Sequence, residues 1–251
     1  MALLELTDVT MKFGELIAND RVSFTVEAGS IVGLIGPNGA GKTTLFNCIS
    51  GLYKPFSGRI DFDGADITGL APYRIARRGA VRTFQVVRPL KEMTVFDNVL
   101  IGAFLKSKDN RAAFEKAAEC IRLCDLEPLK EKQAGDLPIA GKKRLEMARA
   151  LATSPKLLML DEVMAGLTHT EVKAAVDVIL RLRESGITMM IVEHVMEAIM
   201  PIADKVVVLE SGLKIAEDAP GRIVNDERVI EAYLGSKYSQ RFKEKQKGGA
   251  S

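Results

Sequence analysis

An α/β fold built on a mostly parallel sheet is what this sequence predicts, and three features predict it. Short continuous apolar runs alternate with helical segments through the C-terminal half, the pattern of strands covered on both faces. The run Gly36-Pro37-Asn38-Gly39-Ala40-Gly41-Lys42-Thr43 fills every fixed position of G-x-x-x-x-G-K-[ST], between an apolar strand candidate and a helix start. Helical periodicity from about Thr94 to Thr153 then interrupts the strands, as an inserted subdomain would.

In chain order, the first third reads as short strands separated by turns. Leu3–Thr10, Arg21–Val26, Ser30–Ile35 and Arg59–Phe62 are the strands, with turn chemistry at Glu27-Ala28-Gly29 and Asp63-Gly64-Ala65. A helix runs from Lys42 to about Ser50 and stops at Gly51, a usual residue just past a helix end. Val81–Phe84 is a further strand, ending at Gln85. Inside the helical stretch apolar residues recur at three and four spacing: Val95 and Val99, Ala113, Ala117 and Ile121, Leu145, Ala148 and Leu151. Leu157–Asp161 is a strand, Thr170 to Glu184 a helix, Thr188–Val192 a strand, and a helix follows His194. Lys205–Glu210 and Leu213–Ala216 make a hairpin across Ser211-Gly212. This reading gives one domain over 1–236 with a helical insert at about 88–155. The basic, glycine-ended tail at 237–251 reads as a solvated segment, with contact to an anionic membrane surface as the alternative.

Composition narrows the class. A length of 251 residues, 47% hydrophobic and 27% charged, suits a globular protein with one large core or two modest ones. A net charge of +2 argues against a nucleic-acid protein driven by a strong basic field. No run of 18 uncharged apolar residues is present, so the chain is not expected to cross a membrane itself. Glu5 and Asp8 stand where a signal peptide needs basic and apolar residues, and three cysteines suggest a reducing, cytoplasmic compartment. Cys120 and Cys124 lack further metal ligands and read as buried packing.

The glycines of residues 36–43 let the backbone wrap a phosphate chain, with N–H groups and a helix dipole directed at the anion. Lys42 would reach the outer phosphates, Thr43 would hold magnesium, and Thr44 continues the nucleotide-binding run. The strand Leu157–Leu160 ends in two acids: Asp161 to orient the magnesium shell, Glu162 to polarise the attacking water as general base. His194 sits at the carboxyl end of a parallel strand, where ligands collect, and is expected to contact the γ-phosphate. Gln85 also ends a strand near that edge and would be an ordinary loop residue by itself. His169 starts a helix and is expected to be exposed and structural.

Together these positions resemble the ATP-binding-cassette (ABC) ATPase family over nearly the whole chain. The match rests on the P-loop, Thr83-Phe84-Gln85-Val86, Leu160-Asp161-Glu162, Val192-Glu193-His194 and Arg144 to Leu151. Within the family the chain is most similar to the branched-chain (hydrophobic) amino-acid uptake subfamily. That finer likeness rests on Arg82-Thr83-Phe84-Gln85, Met93 to Val99, Leu160 to Leu167 and Glu231-Ala232-Tyr233-Leu234-Gly235. The resemblance implies a RecA-like core with an N-terminal antiparallel β subdomain and an inserted helical subdomain. It implies that Phe13 stacks on the nucleotide base, and that Gln85 joins the metal shell and couples hydrolysis to the membrane partner. The cofactors implied are ATP and Mg2+. The partners implied are a second ATPase subunit, as heterodimer or homodimer, two transmembrane permease subunits and, indirectly, an extracytoplasmic solute-binding protein; nucleic acid is not among them. Localisation would be peripheral, at the cytoplasmic face of a bacterial or archaeal membrane.

One segment departs from the family pattern. The signature L-S-G-G-Q falls on Leu137-Pro138-Ile139-Ala140-Gly141, where only Leu137 agrees. Pro138 offers neither hydroxyl nor N–H to the γ-phosphate of the opposite subunit. Losing one hydrogen bond to a charged oxygen costs about 1.5–3 kcal/mol, so a weaker composite site is expected unless Lys142 or Lys143 swings in. Thr168 likewise stands where the family often has aspartate. The function expected is ATP-driven subunit closure that switches membrane subunits for amino-acid import. A cassette energising lipid or lipopolysaccharide export, or one acting outside transport, is the alternative.

Overall fold

The computed structural model describes residues 2–84, 87–107 and 109–234. At its start β1 (Ala2–Phe13) and β2 (Leu16–Glu27) form a long antiparallel hairpin. Both strands outrun the expected 3–10 and 21–26, because pairing continues through Met11↔Asn19 and Lys12↔Ile17 to Phe13↔Leu16 at the turn. β3 (Ile31–Ile35) leads through the glycine loop into α1 (Lys42–Ile49). β4 (Ser57–Phe62), longer than the expected 59–62, and the short β5 (Ala65–Asp66) return to pair beside β1, giving the four-stranded antiparallel order β2-β1-β4-β5.

α2 (Pro72–Arg78) was not foreseen, although its signals are present: proline opens its first turn and Gly79, at φ +107°, closes it. β6 (Ala80–Arg82) stops short of the expected Phe84. Thr83 N–H still reaches Met159 O at 2.9 Å, but Phe84 N–H turns off the sheet to Glu146 Oε1 at 2.7 Å.

α3 (Val95–Ala103), α4 (Asn110–Leu123) and α5 (Ile139–Ala152) pack on one another and carry the stretch that follows. Thr94 caps α3 by accepting from Asp97 N–H, and Asp109 caps α4. The chain between α4 and α5 is two short 3-10 turns, so this block is less continuously helical than its periodicity suggests.

β7 (Leu157–Asp161), α6 (His169–Glu184), β8 (Thr188–Val192) and α7 (Met196–Ile199) then alternate as expected. β9 (Lys205–Glu210) and β10 (Leu213–Asp218) form the expected hairpin, before α8 (Pro220–Ile223) and α9 (Glu227–Leu234). The main sheet runs β10-β9-β3-β8-β7-β6 and is parallel except for β10.

Alternating side chains of its central strands feed two separate cores. Ile31, Ile35, Leu158, Leu160, Met189 and Ile191 join the core that α3–α6 cover. Val32, Leu34, Leu157, Met159, Met190 and Val192 join the other, with α1 and the antiparallel sheet. Burial on both faces explains why β3, β7 and β8 are apolar without alternation. It also fixes the carboxyl ends of these strands, where loops and α1 must converge.

Candidate functional site

The loop from Gly36 to Gly41 leaves β3 and folds back over its end. Two of its glycines have no substitute. A Cβ on Gly36 would lie 2.1 Å from Leu209 O, and one on Gly41, at φ +97°, would lie 2.4 Å from Ala18 O. Asn19 pins the loop by donating to Gly41 O at 3.2 Å. Gly41 is also the N-cap of α1 and contributes no side chain there, so the first N–H groups of the helix are left for a ligand.

Lys42 is buried, and its Nζ donates to Gly36 O at 2.7 Å and Pro37 O at 2.9 Å. Burial lowers its pKa, opposed by the charges of Glu162 and Asp161. Those two carbonyls hold the ammonium beside the cradle, where phosphate oxygens would be stronger acceptors.

A cavity of about 540 Å3 opens above the loop, within the usual range for small-molecule sites. Residues 38–44 line it together with Phe13 and Ala18 of the first hairpin, Glu162, His194 and Gly212. The long hairpin thus brings Phe13 over the loop, half-exposed, its ring edge-on to Tyr53 with centroids 5.4 Å apart.

Across the cavity His194 Nε2 and Glu162 Oε1 are 2.7 Å apart. Glu162 is held in the left-handed region at φ +50°, with its N–H on Val192 O at 2.9 Å. A non-glycine residue in that conformation is strained, and such strain concentrates at functional positions. Glu193, just before His194, is 1% exposed, and its Oε1 accepts from Met164 N–H at 2.7 Å. Burial raises its pKa, against the Met164 and His194 amides and Lys143.

Asp161 lies beneath, 2% exposed, with Oδ2 on Arg82 Nη2 at 2.6 Å. Its Oδ1 is buried and meets no hydrogen-bond donor among the described residues. Asp161 and the exposed Thr43 share the wall of a second cleft of about 700 Å3, between β6 and α5. A carboxylate oxygen with no donor among the described residues and a hydroxyl from residues on one cleft wall are hard oxygen donors that fit Mg2+.

Gln85, the third residue expected at the metal, lies outside the described residues, as do Val86, Gly235 and the tail at 237–251. His169 is exposed at the first turn of α6, and Cys120 and Cys124 are buried in the core.

The segment Leu137–Gly141 lines none of the cavity over its own glycine loop. Leu137 is buried, while Pro138 and Ile139 are exposed at the start of α5, with no side chain capping that helix. Lys143 does not swing toward it. Its Nζ donates to Glu162 O at 2.8 Å and Ala165 O at 2.6 Å, which ties α5 to the loop after β7. Thr168 caps α6 in a reciprocal box with Glu171.

Sequence reading assigned no role to Arg82, Glu193 or Tyr233. Burial pushes the phenol of Tyr233, on α9, up to about 12, opposed by the Gly36 amide.

The chain matches the sequence profile of the family described as ABC transporter over residues 19–165, and that of branched-chain amino acid ATP-binding cassette transporters over 214–239. It is 41% identical to the high-affinity branched-chain amino acid transport ATP-binding protein BraF of Pseudomonas aeruginosa, covering 93% of this chain and 98% of that protein. Identity to LivG of Escherichia coli, described in the same words, is 40% over the same shares of both chains. Among solved structures, the ADP conformation of MJ1267, an ATP-binding cassette of an ABC transporter, superposes with a TM-score of 0.85 at 34% identity. That likeness covers 94% of this chain and 100% of MJ1267.

Proposed function

Since this chain belongs to the ABC transporter ATPase family, we propose that it is the ATP-binding and ATP-hydrolysing subunit of an importer for branched-chain or other hydrophobic amino acids. One observation carries the catalytic reading: the glycine loop, Phe13, Glu162 and His194 converge on a single cavity. In this reading the nucleotide base lies on Phe13 and the phosphates lie in residues 36–44. Lys42 exchanges the carbonyls of Gly36 and Pro37 for outer phosphate oxygens. Thr43, Asp161 and Gln85 would hold Mg2+, which when bound would neutralise charge on the outer phosphates.

Glu162 takes a proton from the attacking water, and His194, already against its carboxylate, holds it in place and contacts the γ-phosphate. Nothing in the segment Leu137–Gly141 can serve its own cavity. A second ATPase subunit, identical or related, would therefore bring its own signature loop over this cradle, and this chain's loop would cover the partner's. Closure of the pair would drive two permease subunits, with this chain peripheral at the cytoplasmic face; among the described residues no helix is long and apolar enough to cross a membrane. The names of BraF and LivG and the C-terminal profile match support the amino-acid assignment.

Glu162→Gln in the complex reconstituted with its membrane subunits tests the catalytic reading. It should keep ATP binding and lose turnover by at least 100-fold, within the range for loss of a general base (about 10²–10⁴). Turnover within tenfold of wild type would refute the role of Glu162. Leucine, isoleucine or valine with its binding protein should stimulate wild-type turnover, and a complex indifferent to all three would refute the substrate class.

A further inference from the structure

Arg82 carries a full positive charge into the place where a metal ion is to bind. Its guanidinium side chain is 7% exposed and its Asp161 partner's 1%. Nη2 donates to Asp161 Oδ2 at 2.6 Å, Nη1 donates to Asn47 Oδ1 and lies 3.4 Å from Ser50 Oγ, and the plane lies near the rings of Phe46 and Phe84. The group therefore joins β6, β7 and α1 at one point. A salt bridge this deep is poor evidence of net stabilisation, since an apolar pair of the same shape often does as well. What it changes is the carboxylate. One oxygen is claimed, the other is buried and meets no donor among the described residues, and Thr83 Oγ1 accepts from the backbone N–H of Asp161 at 3.2 Å.

We propose that Arg82 is a positioning residue that grips Asp161 Oδ2, leaves Oδ1 for the metal shell, and weakens Mg2+ binding by its charge. Without metal and without Arg82, Asp161 would be a buried carboxylate with only the charge of Lys42 to answer it, an expensive state. Arg82 keeps the metal-free form folded. With metal, two cations share one carboxylate, and their repulsion lowers the affinity for the ion. The metal then leaves with the spent nucleotide more readily than from a site holding an unshared carboxylate. This inference rests on the magnesium reading above, and depends on no catalytic step.

The test titrates Mg2+ into the full chain at fixed ADP and reads bound nucleotide, for wild type, Arg82→Gln and Arg82→Lys. Arg82→Gln should bind Mg2+ about tenfold more tightly, the effect of removing one nearby charge at intermediate dielectric, while Arg82→Lys stays within about threefold of wild type. Unfolding midpoints in EDTA should fall for Arg82→Gln and recover with Mg2+ and ADP. A half-saturating Mg2+ concentration for Arg82→Gln equal to or above that of wild type overturns the proposal. A wild-type curve without Mg2+ dependence removes the magnesium reading itself and this one with it. Should Arg82→Gln fail to fold, the double variant Arg82→Gln/Asp161→Asn buries no unpaired charge and should fold without metal. If it too fails where Asp161→Asn alone folds, Arg82 is a structural residue and the proposal is wrong.

Discussion

Replacing Lys143 by methionine isolates the tie between α5 and the loop after β7 that carries Glu162. The side chain is buried, and its two hydrogen bonds, 2.8 Å to Glu162 O and 2.6 Å to Ala165 O, are the attachment. Methionine fills a similar volume without the charge. Glu162 O would keep the Ala165 N–H at 3.2 Å, so Ala165 O is the carbonyl left bare. An orphaned carbonyl costs about 1–3 kcal/mol when fully buried and less at the half-buried Ala165, and the loss of two charge-assisted bonds adds to it. Relief from burying an ammonium, whose pKa burial already lowers, offsets part of this. The net expectation is a loss of about 2 kcal/mol, a drop of roughly 0.7 M in urea midpoint for a slope near 3 kcal/mol/M. Turnover should fall as well, by about tenfold, because the backbone that aims Glu162 loosens. Equilibrium urea unfolding followed by circular dichroism, with ATP turnover of the assembled complex, measures both. A midpoint within 0.2 M of wild type, or unchanged turnover, would show that Lys143 holds nothing that matters.

Pro138→Ser should raise turnover of the complex severalfold, since it restores a hydroxyl and an N–H worth up to about 3 kcal/mol at a charged oxygen; its own stability should change little, as a serine cap gains about what a proline's rigidity loses. An unchanged rate would remove the idea of a weakened composite site. Glu193→Gln should alter pH dependence. Burial holds the folded-state pKa of Glu193 above the ordinary 4.5 of a free glutamate, so the folded form retains the proton longer than the unfolded chain. Its contribution is thus fully present below 4.5 and is lost as pH rises through the folded value. Wild type should lose stability relative to Glu193→Gln over that rise, and parallel curves would place the ionisation elsewhere. Gly41→Ala should abolish nucleotide binding, because its Cβ meets Ala18 O at 2.4 Å in a left-handed backbone; a variant binding ATP within threefold of wild type would show that the loop relaxes freely.

Much of this architecture is written plainly in the chain, and the reasons differ by element. β3, β7 and β8 are buried on both faces, so their apolar runs cannot be mistaken for exposed strands. The glycine loop is legible because its spacing is dictated by backbone approach, as the Gly36 and Gly41 contacts show. Arg82 was opaque for the opposite reason. β6 is the edge of the main sheet, where an arginine reads as a solvent-facing residue, and only the fold brings α1 and the end of β7 around it. Glu193 reads as a strand-end acid, and the N–H its carboxylate accepts comes from Met164, 29 residues away in the chain. Lys143 follows the odd signature loop and suggested a mobile cation, whereas the turn of α5 points it inward. Local pattern reports what a residue's own element needs; it is silent about what a distant element offers.

Lys143 also bears on how two nucleotide sites in one assembly could sense each other. It lies two residues beyond Gly141, within the first turns of α5, whose exposed start is the segment proposed to meet a partner's phosphate. A helix of 14 residues transmits a tilt along its length with little internal give. Hydrogen bonds of 2.6 and 2.8 Å tolerate only a few tenths of an ångström before they weaken. Any movement of Pro138 and Ile139 over a partner's nucleotide must therefore either carry the carbonyl of Glu162 with it or break Lys143 away. Glu193 resists the first outcome by holding the Met164 N–H at the strand end that bears His194. Glu162, the proposed base, is thus tied to a helix that would answer to a partner's site and lies beside a strand end that bears its own histidine.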